Sequence, residues 1–448
     1  MCKKGSIIEA TVVDTVFPNK GLVYANGKEI LVHGALKGQR LRIQIVKHRR
    51  GRIEAKILEV LERSPLEQEP TCQQFGLCGG CTYLNVPYKH QLEIKESQVL
   101  RLLDNAGITG FDFLGIEPSP RESAYRNKME YTFGDSDDGL ALGLHRRRMR
   151  YEVSPVTGCQ LVDEDFLLIL DLVLDHFREI DIPFYHKKSH QGVLRNLVVR
   201  KAGTTGEILV NLVTTSQREL TNLTELGEDL GELSLSGRLK GFLHTINDGK
   251  ADTIRADSMR VIWGDDHITE VILGLTFRIS AFSFFQTNSY GAEKLFGTVR
   301  NFAESRPGTV FDLYCGTGTI AQIISPLADE VFGIEIVPEA IEAARENAKI
   351  NGLDNCRFIA GDVLIELDAL DKQPDLVILD PPRGGIHPKA LEKIIGIGAP
   401  HLVYVSCQPV SLAKDLAVLA SSGYSATMVK CVDMFPHTPH IETVVKLE

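Results

Sequence analysis

From residue 309 onward the sequence alternates short apolar runs with amphipathic stretches, and a polar, chemistry-bearing side chain closes nearly every run. Strand-like runs read at 309–315, 330–336, 356–362, 374–380 and 401–407, with helical periodicity between them, clearest over 338–351. Apolar strands joined by helices leave few options. The strands must run parallel, because each helix carries the chain back across the sheet, and both faces must be covered. The fold class predicted is α/β, with a doubly wound, Rossmann-like sheet. Its end differs: runs at 425–432 and 441–447 leave no room for a helix between them, so an antiparallel hairpin should finish the sheet.

In open α/β sheets, ligands bind beyond the carboxyl ends of the strands. Gly316 and Gly318 follow the first run, and glycines let a backbone turn tightly and approach a ligand. Glu335 ends the second run, at about the spacing where an acid reaches ribose hydroxyls. Asp362 ends the third, Asp380 the fourth and Cys407 the fifth. Gly316-Thr317-Gly318-Thr319-Ile320-Ala321 also fits G-x-G-x-x-A, so a dinucleotide-dependent dehydrogenase is a rival reading. Asp312 with Cys315-Gly316, Asp380-Pro381-Pro382 and the antiparallel finish favour a cofactor with one nucleoside and no pyrophosphate, S-adenosylmethionine. Each acid could singly be a helix cap or a surface group. A row of them on one sheet edge argues for a pocket.

Five motifs, in order, carry a closer resemblance: Ser283-Phe284-Phe285-Gln286-Thr287-Asn288, Asp312-Leu313-Tyr314-Cys315-Gly316, Asp380-Pro381-Pro382-Arg383, Ser406-Cys407-Gln408-Pro409 and His440-Ile441-Glu442-Thr443-Val444-Val445. In these the chain resembles the RNA uracil-5 methyltransferase family of bacterial ribosomal and transfer RNA. The resemblance implies that Gln286, Tyr314, Thr319, Glu335 and Asp380 contact S-adenosylmethionine, with Gly316 and Asp362 lining the same pocket. Thr319 stands where some members carry Asn; both side chains donate and accept hydrogen bonds. Carbon 5 of uracil needs activation by a thiolate added at carbon 6, and a base must later remove the carbon-5 proton. Cys407, at a strand end, is the candidate nucleophile. Glu442, a carboxylate in an otherwise apolar run, is expensive to bury unless it works or is paired. The resemblance also places the family's proton acceptor there.

Upstream, residues 1–62 hold short alternating runs around Asn26-Gly27, a hairpin signal, and read as five strands of a small β-barrel of oligonucleotide-binding, TRAM-like type. This segment carries 12 Lys+Arg against 6 Asp+Glu, although the whole chain has a net charge of −10. A basic module on an acidic body suits an RNA partner. Residues 63–90 and 124–282 read as a mixed α+β central domain, and 91–123 with 283–448 as the methyltransferase domain.

Nine cysteines in a chain without a signal peptide are not expected to be disulfide staples. Cys72, Cys78, Cys81 and the distant Cys159 form an irregular four-sulfur set. That pattern suits an iron–sulfur cluster better than the paired units of a zinc ribbon. The resemblance implies a 4Fe-4S cluster. Candidate RNA contacts are Arg49, Arg50, Arg126, Lys128, Arg146, Arg147 and Arg148, where clustered cations match phosphates. Their alternative is a solvated charge run. No stretch is apolar enough to span a membrane, and a cytoplasmic monomer is expected. A barrel joined to a cysteine set leans towards structured large-subunit (23S) ribosomal RNA, with transfer RNA as the alternative.

Overall fold

A computed structural model describes residues 3–49, 51–136, 139–147, 149, 151–251, 256–303 and 308–448. Three sheets and one hairpin organise the described residues. The N-terminal sheet has six strands, not five: Ile7–Thr11, Asp14–Val16, Lys20–Ala25, Lys28–His33, Arg40–Arg49 and Arg52–Glu62. The unforeseen one, Asp14–Val16, pairs with Lys20–Ala25 over three residues, too few to show a period. Alternation closes the sheet around Val23, Ile30, Val32, Leu41, Ile43 and Ile45. The basic residues stay outside, and Lys20, Lys47 and Arg52 surround Glu54.

The central sheet has seven strands, running from the edge strand Val153–Pro155 to the opposite edge strand Ser258–Gly264. Helices Glu164–Glu179 and Leu223–Glu232 cover one face, burying Phe166, Val173, Phe177, Leu226 and Leu230 against Leu197, Leu212 and Phe242. A separate hairpin, His267–Ile272 with Leu275–Ser280, leads towards the third sheet.

That third sheet has eight strands: β1 Asp112–Glu117, β2 Thr309–Leu313, β3 Glu330–Glu335, β4 Cys356–Ala360, β5 Leu376–Leu379, β6 His401–Ser406, β7 Ala426–Val432 and β8 Glu442–Leu447. Their order is β4-β3-β2-β5-β6-β8-β7-β1. The predicted doubly wound sheet and hairpin finish are both present. β8 alone runs antiparallel to its neighbours β6 and β7. β1 was not legible: it is a half-exposed edge strand, interrupted by Gly115, and it pairs parallel to β7.

Seven helices flank this sheet: α1 Tyr88–Asn105, α2 Ser289–Phe302, α3 Thr319–Ile324, α4 Pro338–Ile350, α5 Val363–Ala369, α6 Pro388–Ile397 and α7 Pro409–Ser421. Consecutive strand residues serve opposite faces. Ile378 and Val403 pack with α2, α3 and α4, whereas Val377 and Leu402 pack with α1, α5, α6 and α7. Each fully buried aliphatic side chain contributes roughly 1.5–3 kcal/mol, so this double core is the main source of stability. Among the described residues no helix is long and apolar enough to cross a membrane.

One polar contact interrupts the apolar packing. Lys95 of α1 lies wholly buried with its ammonium 2.7 Å from Asp433, also wholly buried, in the connection between β7 and β8. Lys95 Nζ also donates to Phe435 O at 3.0 Å. Removing one partner leaves the other charge buried alone. Lys95→Met should therefore cost about 3–5 kcal/mol, and adding Asp433→Leu should recover much of it. Urea unfolding of the two variants measures both changes.

Candidate active site

The sheet register brings distant residues to one edge. β5 and β6 are parallel, with Leu379 beside Tyr404, so Asp380 and Cys407 leave the sheet at the same end. β8 is antiparallel to β6, and Thr443 pairs with Ser406. One step along that register sets Glu442, the first residue of β8, opposite Cys407. An antiparallel strand thus delivers its amino end where the parallel strands deliver their carboxyl ends.

The charges at this edge act on one another. Glu442 is only 3% exposed. Burial and the Asp380 carboxylate push its pKa up to about 8, with the Arg383 guanidinium pulling the other way. Asp380 is half-buried as a residue, and the loss of water around its carboxyl pushes it up to about 7. The Cys407 thiol is pushed up to about 11, first by burial and then by Glu442; Arg383 opposes that push and Asp380 adds to it. Cys407 precedes α7, whose amino end favours a thiolate.

Hydrogen bonds fix the two loops that carry these groups. Ser411 Oγ donates to Gln408 O at 2.9 Å and lies 3.0 Å from Arg383 O. Asp415 Oδ2 accepts from Ile386 N at 2.9 Å and from the Tyr404 hydroxyl at 2.6 Å. The Asp380-Pro381-Pro382-Arg383 loop is therefore strapped to α7, beside Cys407.

The neighbouring strand ends form a second group of acids. Asp312 is fully buried; Oδ2 accepts from Ala321 N at 2.8 Å, and Oδ1 has no partner. Burial and then Asp380 push it up to about 8. Glu335 accepts from Gly316 N at 3.2 Å and Val337 N at 3.0 Å. Asp362 is exposed and caps α5 through Leu364 N at 2.9 Å, so one oxygen does serve the helix. Tyr314 is half-buried and takes a left-handed φ of 66°, strained for a non-glycine residue. Burial and Asp362 raise its phenol to about 12. Gly318 combines a φ of 70° with close packing: a Cβ there would lie 2.5 Å from the Phe358 ring. Beside Gly316 a Cβ would meet nothing within 4 Å, leaving open space at the turn. Thr319 opens α3, its hydroxyl 3.4 Å from that of Thr317.

Gln286 lies on a loop tied to the start of the central sheet. Asn127 Nδ2 donates to Gln286 O at 3.0 Å, and Asn127 N donates to Thr287 O at 2.9 Å. The buried Arg200 donates to Ala281 O at 3.3 Å and to Ser283 O. Acids that burial and mutual repulsion hold at high pKa, around an open glycine turn, fit a ligand that carries positive charge.

The four cysteines Cys72, Cys78, Cys81 and Cys159 line one cavity together with Phe75, Leu84, Leu144, Val156 and Leu161. Burial, then Cys159, Cys78 and Cys72, push the Cys81 thiol up to about 12. Yet among the described residues no three His, Cys, Asp or Glu side chains converge as a single metal ion would need. The two observations are compatible: the thiols share a space without closing on one point.

The candidate RNA contacts divide. Arg49 is exposed, while Arg50 and Arg148 lie outside the described residues. Arg146 pairs with Glu152 at 2.9 Å, and Lys128 pairs with Glu130. Arg126 Nε donates to Lys128 O at 3.0 Å. Arg147, half-buried, donates from Nη2 to Cys81 O at 2.7 Å. Sequence reasoning gave no role to Asp312 or Arg383. Both were visible inside their motifs, but a motif does not say which members face one another.

Comparison with known proteins follows this geometry. Residues 252–448 match the family described as tRNA (Uracil-5-)-methyltransferase. The chain is 49% identical over 448 residues to an uncharacterised RNA methyltransferase of Clostridium tetani, spanning 99% of this chain and 98% of that one. It is also 49% identical over 451 residues to one from Caldanaerobacter subterraneus subsp. tengcongensis, spanning 99% of each. Among solved structures it resembles Pyrococcus abyssi tRNA (uracil-54, C5)-methyltransferase in complex with S-adenosyl-L-homocysteine. The TM-score is 0.77 at 26% identity, covering 98% of this chain and 100% of that one.

The electrostatics give a direct test on the free protein. With its thiol near 11, Cys407 should be alkylated by iodoacetamide at pH 8 roughly a hundredfold more slowly than an ordinary thiol titrating near 8.5. Glu442→Gln should speed that alkylation and Arg383→Leu should slow it, as read by mass spectrometry of the Cys407 peptide.

Proposed function

Because this chain belongs to the RNA uracil-5 methyltransferase family, we propose that it moves a methyl group from S-adenosylmethionine to carbon 5 of a uridine in structured RNA, with Cys407 as nucleophile and Glu442 as base. One observation carries this reading: the β6–β8 register sets a cysteine and a buried carboxyl opposite each other, at the edge where the other strand ends present their acids. The rival dehydrogenase reading uses the glycine turn alone and leaves both groups without work.

Cys407 must first lose its proton. Binding a cationic ligand among Asp312, Glu335 and Asp380 cancels part of the push on its thiol and favours the thiolate. The thiolate adds to carbon 6, forming an S–C bond and sending the ring π electrons to carbon 5 and the carbonyl oxygen at position 4. When bound, S-adenosylmethionine supplies the methyl group as a sulfonium electrophile to that carbon. Gln286, Tyr314, Gly316, Thr319, Glu335, Asp362 and Asp380 are the residues that would hold it. Glu442 then takes the carbon-5 proton, those electrons rebuild the carbon 5–carbon 6 double bond, and the S–C bond breaks to return the thiolate. A base with a pKa near the working pH suits this step.

The same resemblance assigns Cys72, Cys78, Cys81 and Cys159 to a 4Fe-4S cluster. The cavity that the four cysteines line together is what supports it; among the described residues no three such side chains stand close enough to hold a metal ion. Four cysteines would occupy all four iron positions, which disfavours radical chemistry and leaves a structural or RNA-positioning role. Visible absorbance with bound iron in anaerobically purified protein supports this assignment; a colourless, zinc-containing protein overturns it.

Large-subunit ribosomal RNA was favoured on the barrel and the cysteine set. The Pyrococcus abyssi enzyme, named for transfer RNA, is spanned end to end by this chain, so such an architecture also serves transfer RNA. The two RNA classes are therefore the two arms of one experiment. Labelled S-adenosylmethionine is offered with unmodified ribosomal and transfer RNA transcripts, and 5-methyluridine is measured. Label in either class should vanish with Cys407→Ala; label in neither class, with cofactor bound, would sink the reading. Glu442→Gln should methylate RNA but hold it as a covalent adduct. In the unaltered enzyme the same adduct should build up as pH falls below about 8, because protonated Glu442 cannot take the proton.

A further inference from the structure

Glu442 is the first residue of β8, so its position depends on the connection at 433–441 that leads into the strand. This connection is held from outside the sheet at almost every step. Lys95 takes Asp433 and Phe435 O. Asn288 Nδ2 donates to Met434 O at 2.9 Å, and the Tyr125 hydroxyl donates to Pro436 O at 3.0 Å. His437 is the most constrained point. Its φ is 66°, a left-handed conformation uncommon outside glycine. Its amide donates to Gln91 Oε1 at 2.8 Å, and its carbonyl accepts from both Thr82 N at 2.7 Å and Tyr83 N at 2.9 Å. Gln91 Nε2 in turn donates to Tyr83 O at 3.1 Å and Val86 O at 2.8 Å, and lies 3.0 Å from His437 Nδ1.

Gln91 is wholly buried, and its side-chain oxygen and nitrogen are both used. It bridges two segments that share no strand pairing: the stretch just after Cys81, and the turn just before Glu442. Such a buried amide can be replaced by an apolar group of similar size, but the His437 amide then loses its partner and the left-handed turn loses its reason to persist.

We propose that Gln91, acting through His437, is a positioning residue for Glu442: the clasp on residues 433–440 sets the carboxyl where it can reach the carbon-5 proton. The inference rests on Glu442 being the base. Gln91 touches no reacting atom, and its loss should act on product release while leaving thiolate addition and methyl transfer alone. Because Thr82 and Tyr83 complete the clasp, the cysteine-bearing segment contributes directly to the geometry of the base.

The test separates methyl transfer from release on the full chain with labelled S-adenosylmethionine and the RNA it methylates. Single-turnover label incorporation measures transfer; denaturant-stable protein–RNA adduct measures stalled release. Gln91→Leu should incorporate label within about twofold of the unaltered enzyme yet release RNA at least about tenfold more slowly, with adduct accumulating. Combining it with Glu442→Gln should add no further slowing, because both act on one step. Should Gln91→Leu not fold, the His437 pair decides. His437→Asn, which tolerates a positive φ, should release RNA normally, whereas the β-branched His437→Val should stall. Equal loss of transfer and release in Gln91→Leu, or equal behaviour of the two His437 variants, overturns the proposal. If Glu442→Gln traps RNA while Gln91→Leu and His437→Val release it normally, the clasp fails and the base stands. If Glu442→Gln releases RNA normally, the base reading fails, and the clasp with it.

Discussion

The antiparallel seat of β8 between β6 and β7 is the constraint on which the site depends. In a purely parallel sheet every strand presents its carboxyl end at the ligand edge, and the residue that starts a strand lies far from it. Reversing one strand breaks that rule. Glu442, the first of the six residues of β8, arrives opposite Cys407 because the pairing of Thr443 with Ser406 leaves it nowhere else to go. The apolar residues that follow, Val444 and Val445, fix this register by serving opposite faces of the sheet. A slip of one residue would exchange the two faces and carry Glu442 away from the thiol.

That placement brings together groups that repel. Asp312, Asp380 and Glu442 are all held above the ordinary carboxylate range, mainly because they are out of water and partly because they lie close to one another. Such crowding costs stability in the empty protein and is relieved by positive charge. Arg383 offers some of it from the exposed side of the loop. A cationic ligand in the pocket would offer more of it.

Segments outside the third sheet hold its loops. The central sheet holds the loop of Gln286 through Asn127 and Arg200, and the stretch after the cysteines holds the turn before Glu442. Very little of this was legible in the sequence. Arg126 and Arg147 read as part of a charge run for phosphates; the run does not reveal that Arg126 also donates to Lys128 O and Arg147 to Cys81 O. Arginine at high density looks the same whether it meets RNA or a backbone carbonyl. Gln91 and Lys95 are polar positions on α1, yet both are buried. The strands β2 to β8 were legible because each is a dense apolar run between helices. β1 and Asp14–Val16 were not, since an edge strand and a three-residue ladder need little hydrophobic content.

The sequence by itself determined the order of strands and helices from residue 309, the antiparallel ending, the acids and the cysteine at the strand ends, and the family. These are local facts: hydrophobic period, turn residues and motif spacing are all written within a few residues of one another. The tertiary structure alone decided which of those groups meet. The facing of Cys407 and Glu442, the crowding of Asp312 with Asp380, the shared cavity of Cys72, Cys78, Cys81 and Cys159, and the burial of Lys95 on Asp433 all join residues far apart in the chain. They follow from strand register and from helix packing across the sheet. Both are set by the sum of many side-chain volumes, and no short stretch of sequence contains that sum.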